Sequence, residues 1–364
     1  MTLTDEHVPA PALDLPVAPE PLRPVRAAVF GLGRAGVMHA ALLSTITQCE
    51  LVAIGDAGSA ARRNARGCGL KARAFAKLGT LLETASPEVV FVCGVPPQRV
   101  EWALEALEAG AAVFLEASPG LEIAEAEPLA ARAREFSRPV AVGVPVSHHP
   151  VFDAARRLLA SGVPGSVRQV RASRNVSRVF SPAQQKSHLI SPERGALAHA
   201  ASDLLFELVA CFGPAVFASA TAQNVYGPIE DEMRGAFTTT TGAEIGFEVS
   251  WSSPGYPRPA TVIEVEANGG RLLVSDDALE IDLEQPGGGF PVGVTRLGHD
   301  AMPRLARFEL DGDGLYLEDA GFLHWATGGV AAPGQIESWL APARLMHALY
   351  VSARNAGIRV EVPA

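Results

Sequence analysis

The sequence predicts an α/β protein. A doubly wound parallel sheet fills its first half, and an α+β unit on a large, mostly antiparallel open sheet fills its second. Three observations carry this. Apolar strand-like runs alternate with amphipathic helical stretches from Val25 to about residue 147, which is the pattern of successive βα units with right-handed crossovers. A glycine-rich turn joins the first strand to the first helix. From about residue 215 the chain becomes a series of short β-prone runs separated by turn residues, as antiparallel pairing requires.

Composition sets the bounds. A chain of 364 residues, 48% hydrophobic and 19% charged, can bury two sizeable cores. Its formal charge of −10 excludes a broad basic footprint for nucleic acid and disfavours anionic membranes. No apolar run reaches the roughly 18 residues of a membrane-spanning helix. The four cysteines, Cys49, Cys68, Cys93 and Cys211, show neither a CxxC nor a Cys/His spacing, so neither a metal site nor a disulfide framework is expected. Residues 1–24, acidic and proline-rich, lack the charged and apolar regions of a signal peptide. They read as an extended arm packing along its own body or a neighbour, and the expected compartment is the cytoplasm.

The first unit is expected over 25–147. "VRAAVFGLGRAGVMHAALLSTI" reads as strand, turn and helix, with the turn Gly31-x-Gly33-x-x-Gly36. Gly31 permits the tight bend, Gly33 lets a pyrophosphate approach the backbone, and Gly36 lets helix and strand pack closely. Leu32, Arg34 and Ala35 complete the loop that presents the helix N-terminus to phosphates. The strand "LVAIGD" follows and ends on Asp56, twenty residues past Gly36, where a carboxylate accepts hydrogen bonds from an adenosine ribose. This is the Rossmann pattern. Asp56 would repel a 2′-phosphate, so NAD is favoured over NADP; Arg62 and Arg63, in the next helix, read as a solvated face. The strand Val89–Cys93, the helix "QRVEWALEALEAG", the strand "AAVFLEA", the helix "LEIAEAEPLAARAREFS" and the strand "PVAVGVP" continue the alternation. Ligands bind beyond the carboxyl ends of such strands. That directs attention to Gly94–Pro97, with Pro96, to Glu116–Gly120, and to Val144–His149.

The second unit is expected over 148–364, for substrate binding and oligomerisation. "VFDAARRLLASGVPGSV" reads as a helix ending near Gly162, and "VRQVRASRNVSR" begins a strand. A proline-containing loop runs from Phe180 to Arg194, and "GALAHAASDLLFELVACFGP" then reads as one helix closed by Gly213 and Pro214. On that helix His199 and Asp203 are four apart and share a face. They form either a self-satisfying polar pair or an acid–base face. The runs "VFASATAQ", "RGAFTTTTG", "EIGFEVSW", "ATVIEVEANG", "RLLVSD", "LEIDLEQ" and "ARFELDG" read as strands, with a hairpin at "ANGGRL". One face of such a sheet can be covered by helices and the other can pair with a second subunit. A homodimer or homotetramer through the open sheet is expected. The chain ends on a long helix and a short strand.

These strings resemble the Gfo/Idh/MocA family of NAD(P)-dependent oxidoreductases over nearly the whole chain after the arm. "GLGRAGVMHA", with a His at 39, is similar to the family's opening, and "GVPPQRVEWALEALEAGAAVFLEASPG" to the stretch that leads to its Glu-Lys-Pro motif. "GSVRQVRASRN", "GALAHAASDLLFELVACFG" and "LMHALYVSARNAGIRVEVP" resemble the start of its second domain, the helix carrying its Asp-x-x-x-His pair, and its closing helix. The resemblance implies an NAD-dependent oxidoreductase acting on a sugar, cyclitol or similar hydroxylated metabolite. It also implies a Lys near the nicotinamide and a His that exchanges a proton with the substrate hydroxyl. Four positions depart. Glu116 is kept, but Ala117 and Ser118 stand where Lys and Pro are expected, His199 stands at the Asp position and Asp203 at the His position. A carbinol needs a base poised near neutral pH. His199 fits as proton carrier with Asp203 as its orienter. His188, Lys186, Arg174, Asn175, His148 and His149 are further candidates to replace the missing groups, and Ser173 occupies a His place of the family. Two alternatives stay open: an NAD-assisted lyase or hydrolase without net redox, and a catalytically lapsed binding or partner subunit.

Overall fold

A computed structural model describes residues 18–95, 98–116, 120–177, 194–298 and 312–363. Two sheets organise them. In the first, β1 (Val25–Phe30), β2 (Cys49–Gly55), β3 (Arg73–Phe75), β4 (Val89–Val92), β5 (Ala112–Leu115) and β6 (Val140–Val142) lie in the order β3-β2-β1-β4-β5-β6. All five pairings are parallel. The crossover helices are α1 (Arg34–Leu43), α2 (Ser59–Gly67), α3 (Leu78–Ala85), α4 (Gln98–Glu108) and α5 (Ile123–Phe136). Burial on both faces explains why β4 and β5 are apolar at every position rather than alternating.

The short α6 (Pro145–His148) and then α7 (Pro150–Ala160) lead out of this sheet. The second sheet is built from β7 (Val167–Asn175), β8 (Ala215–Gln223), β9 (Glu232–Thr239), β10 (Glu244–Ser250), β11 (Ala260–Ala267), β12 (Gly270–Ser275), β13 (Ala278–Leu283), β14 (Gly293–Gly298) and β15 (Val360–Glu361). Their order is β14-β13-β12-β11-β7-β10-β9-β8-β15, antiparallel except for β7 against β10. The hairpin expected at Asn268-Gly269 joins β11 to β12, with Ala267 opposite Gly270. Of the run 306–312, residues 306–311 lie outside the described residues, and Gly312 opens a helix. The alternating burial of β11 marks a sheet with one covered face. Its other face carries cross-strand ion pairs, Arg171–Glu266, Arg234–Glu248, Arg271–Glu264 and Arg296–Glu280.

The stretch read as one helix over 195–212 is two: α8 (Ala196–Ala200) and α9 (Ser202–Phe212). Ala201 stands between them at φ −142°, ψ 13°. Two contacts from distant chain hold the segment on either side of the break. Glu230 receives the N–H of Gly195 at 2.6 Å, capping α8 from a distant strand end, and Gly120 packs against the Ser202 side chain. Neither contact is local, which is why periodicity alone favours a continuous helix.

The end of the chain returns to the first sheet. α10 (Gly312–Ala326) packs on α1, and its Ala320, Phe322 and Leu323 enter the core beneath β1 and β4. α11 (Ile336–Arg354) packs against α5 with Ile336 and Trp339 and against β8 farther on. The end of the arm lies along the same body. Leu22 donates its N–H to Thr327 Oγ1 at 2.9 Å, and His324 Nδ1 donates to the Glu20 carbonyl at 2.8 Å.

Candidate active site

The site grows from the carboxyl ends of β1, β2, β4 and β5. Gly31 sits at φ +98°, held by its N–H to the Gly55 carbonyl at 2.8 Å, and a side chain there would strike the Cys93 carbonyl. A side chain at Gly36 would collide with the Gly31 carbonyl, so α1 can lie this close to the turn only with glycine at 36. Gly33 differs. It is exposed, and a Cβ there meets nothing within 4 Å, leaving open space above the backbone. Gly33 caps α1, and no side chain caps the helix or places an acid in its first turn. The first-turn N–H groups, with Arg34 and Ala35 among their residues, have no partner inside the helix and face that space.

Asp56 closes the turn. Its Oδ2 accepts the Leu32 N–H at 2.7 Å and its Oδ1 accepts the Gly58 N–H at 2.7 Å. Each oxygen keeps capacity for one more donor, as a ribose diol would require. Arg62 is not a purely solvated residue. Its guanidinium donates to the carbonyls of Asp56 and Ala57, while Arg63 reaches Ser59 Oγ at 3.3 Å. A pocket of about 460 Å³ adjoins this corner, lined by Phe30, Ala57, Lys77, Leu78, Trp102 and Glu105 among others. The residues present thus fit a dinucleotide: a bend free of side chains, an open helix terminus, a tethered acid and an adjoining hollow.

The other end of the site is formed by the second sheet and the α8–α9 break. Gly120 donates its N–H to the Ala198 carbonyl at 2.8 Å, which joins the loop after β5 to α8. Arg174, near the end of β7, reaches both carboxylate oxygens of Asp203 through Nη1, at 3.0 and 3.1 Å, and the pair is about nine-tenths buried. The Leu204 N–H also donates to Asp203 Oδ1 at 3.0 Å. The role of His199 orienter expected for Asp203 is therefore corrected: its carboxylate is committed to Arg174. The His199 ring instead lies 5.8 Å from that of Trp251, whose Nε1–H donates to Asp231 Oδ1 at 2.8 Å. Asn175, at the end of β7, accepts the Ser253 hydroxyl at 3.0 Å.

Other sequence candidates fall elsewhere. His148 is buried, with Nε2 3.3 Å from the Pro333 carbonyl, and burial lowers its pKa to about 4. A neutral, enclosed imidazole of this kind is a packing group. The His149 ring meets Phe152 edge-on at 5.6 Å. His188, Lys186, Pro96, Ala117 and Ser118 lie outside the described residues. Glu116, the first residue past β5, has its Oε2 3.3 Å from His39 Nε2.

Sequence reasoning missed two acids here, Glu318 and Asp319 of α10, both essentially inaccessible. Asp319 Oδ1 lies 2.7 Å from His39 Nδ1, and Glu318 accepts the Val144 N–H. The available signal was a pair of adjacent acids inside an otherwise apolar helix. Burial works against a charged His39, but the Asp319 carboxylate, with Glu116 beyond it, outweighs that and raises its pKa well above the usual histidine range. Burial likewise raises both Glu318 and Asp319.

Residues 25–144 match the family model described as "Oxidoreductase family, NAD-binding Rossmann fold". This part of the chain is similar to the NAD-binding unit of the Gfo/Idh/MocA oxidoreductases. The matched stretch contains Gly31, Gly33, Gly36 and Asp56, in the geometry just described.

Among solved structures, more than nine-tenths of the chain shares its fold with several oxidoreductases. An oxidoreductase from Agrobacterium radiobacter, in complex with NAD+, L-tartaric acid and magnesium, is 18% identical at a TM-score of 0.81, over 93% of this chain and 98% of its own. Levoglucosan dehydrogenase, in complex with NADH and levoglucosan, is 17% identical at 0.82, over 93% and 100%. An inositol dehydrogenase homolog from Azotobacter vinelandii, complexed with NADH and myo-inositol, is 18% identical at 0.80, over 94% and 99%. Comparison with curated proteins gives no match. Among the described residues no helix is long and apolar enough to cross a membrane, and no cluster of His, Cys, Asp and Glu suits a metal ion.

Proposed function

We propose that the chain is an NAD-dependent oxidoreductase acting on a sugar, cyclitol or similar hydroxylated small metabolite. The observation that carries this is the open glycine bend beside the tethered Asp56 carboxylate, in a stretch that matches the NAD-binding family. Gly31, Leu32, Gly33, Arg34, Ala35 and Gly36 would hold the pyrophosphate through backbone N–H groups and the helix terminus. Asp56 would take the adenosine ribose, and the pocket beside it the adenine ring. Pro96 and Glu116 would border the nicotinamide half. Bound NAD supplies a hydride acceptor, and the chain's own residues supply the proton chemistry and the orientation. His199, on α8 where the cleft meets the second sheet, would take the substrate hydroxyl proton. Arg174, steadied by Asp203, would place positive charge at that end of the cleft, where Ala117 offers none, and Asn175 and His188 would orient the substrate. The levoglucosan and myo-inositol of the structural neighbours support the substrate class.

The reading extends to a cytoplasmic homodimer or homotetramer formed through the open sheet face. The absence of a Lys at 117 favours a second reading, an NAD-assisted lyase or hydrolase or a subunit that binds without turnover. The test is calorimetry with NAD, followed by a sugar and cyclitol panel read by nicotinamide absorbance. Reduction of NAD by a panel member supports the first reading. Product without net reduction, or binding without turnover, moves the assignment to the second. His199→Ala is expected to lower turnover by about 10²–10⁴-fold, the span of a lost general base, with NAD affinity unchanged. Unaltered turnover removes His199 from the mechanism.

A further inference from the structure

A file of polar side chains, of which the functional reading uses Glu116 alone, runs from the cleft into the core. Its outer member is Glu116, the first residue past β5, 23% exposed. Its Oε2 lies 3.3 Å from Nε2 of His39 on α1. The other ring nitrogen, Nδ1, lies 2.7 Å from Oδ1 of Asp319 on α10. His39 and Asp319 are sealed from solvent, at 1% and 0%. The rings of Phe91 and Phe114 stand 5.5 and 5.2 Å from the imidazole. The arrangement is carboxylate, imidazole, carboxylate, open to water at the Glu116 end.

Such a file cannot be fully ionised. A buried carboxylate is costly unless paired, and one imidazolium cannot serve Glu116, Asp319 and the adjacent Glu318 together. Asp319 Oδ2 and Glu318 Oε2 are buried with no hydrogen-bond partner among the described residues. Burial raises both acids, so the network holds protons into the range where free carboxylates have lost theirs. The other groups facing it are the Cys93 thiol, pushed up to about 12 by burial and therefore neutral, and the more distant Arg99 of α4.

Sheet order gives the file its direction. Asp56 follows β2 and the glycine bend follows β1, so a dinucleotide lying across them points its nicotinamide half toward the ends of β4 and β5. Glu116 lies on that side. The oxidised nicotinamide ring carries a positive charge, and the reduced ring does not.

We propose that Glu116, backed by His39 and Asp319, senses the charge on the nicotinamide ring: binding of the oxidised cofactor drives a proton out of the network through Glu116, and the reduced cofactor does not. The inference rests on the NAD reading above. In the step, the proton that His39 Nε2 holds toward Glu116 passes to water, the negative charge left on the pair faces the ring, and no electron moves. Glu116 borders the cofactor, and His39 and Asp319 act through it as positioning residues. A ligand that expels a proton binds more tightly as pH rises, up to roughly tenfold per pH unit for a full proton. NAD+ affinity should therefore climb with pH while NADH affinity stays nearly flat.

The test is calorimetric titration of the full chain, freed of nucleotide, with NAD+ and with NADH. Each titration is run in paired buffers of different ionisation enthalpy, which counts the protons released. Wild type is expected to release more protons with NAD+ than with NADH. Glu116→Gln should bind both nucleotides and lose that difference, and Asp319→Asn should displace the pH at which it develops. Equal proton counts in wild type, or an unchanged difference in Glu116→Gln, would overturn the proposal, and an unmoved pH in Asp319→Asn would remove Asp319 from it. Absence of heat with either nucleotide would instead strike the NAD reading itself.

Discussion

Asp56 and Asp203 are both carboxylates at the edge of the cleft, and they are secured in opposite ways. Asp56 is held by two backbone N–H groups, those of Leu32 and Gly58, which the βαβ unit itself supplies. Asp203 is held by a side chain from another element, the Arg174 guanidinium of β7, 29 residues away. The first arrangement follows from a turn and a spacing. The second needs the α8–α9 break and the second sheet already in place. The end of the cleft proposed for the nucleotide is thus locally encoded, and the end proposed for substrate depends on assembly.

The comparison predicts different failures. Gly36→Val, which drives a side chain into the Gly31 carbonyl, should open the bend and abolish NAD binding measured by calorimetry, with the second sheet intact. Retained affinity would break the local half of the comparison. Arg174→Met leaves Asp203 largely buried without its cation, and denaturant melts should show a loss of about 3 kcal/mol. The double variant Arg174→Met, Asp203→Leu should recover most of that loss, because removing both charges removes the desolvation penalty. A double variant as unstable as the single would show that the two groups act separately.

His148 sharpens the point for a group whose environment also comes from distant chain. Its folded pKa, lowered to about 4 by burial, lies below the ordinary value near 6.5. The unfolded chain therefore takes up the proton first. Stability should fall as pH drops from about 6.5 toward 4, by roughly 3 kcal/mol in all. His148→Gln should lack that component of the pH–stability profile, and parallel profiles for the two proteins would refute the assignment. The smallest effect is local. Asp56→Ala should weaken NAD by roughly tenfold, about 1.4 kcal/mol, and NADP by less. Equal losses would undo the ribose assignment.

The nucleotide half was legible because its constraints are covalently close. The bend that Gly31 and Gly36 permit, the strand ending at Asp56 and the alternation of β1 to β6 each depend on residues within about one βαβ unit. The hairpin at Asn268-Gly269 was legible for the same reason. The helix break at Ala201 was not, because the partners that flank it, Glu230 at the start of α8 and Gly120 against Ser202, come from other parts of the chain. Nor was the fate of Asp203, since helical spacing offered His199 as a neighbour and a β7 guanidinium took its place.

By itself the sequence determined the two sheets, the glycine bend and the acid that closes it, because period, turn chemistry and spacing act over a few residues. Tertiary structure alone decided that α10 would return to the first sheet and bury Glu318 and Asp319 against His39. No local pattern specifies which distant apolar face an amphipathic helix will cover, and the charge balance of a buried cluster exists only once its members have been brought together.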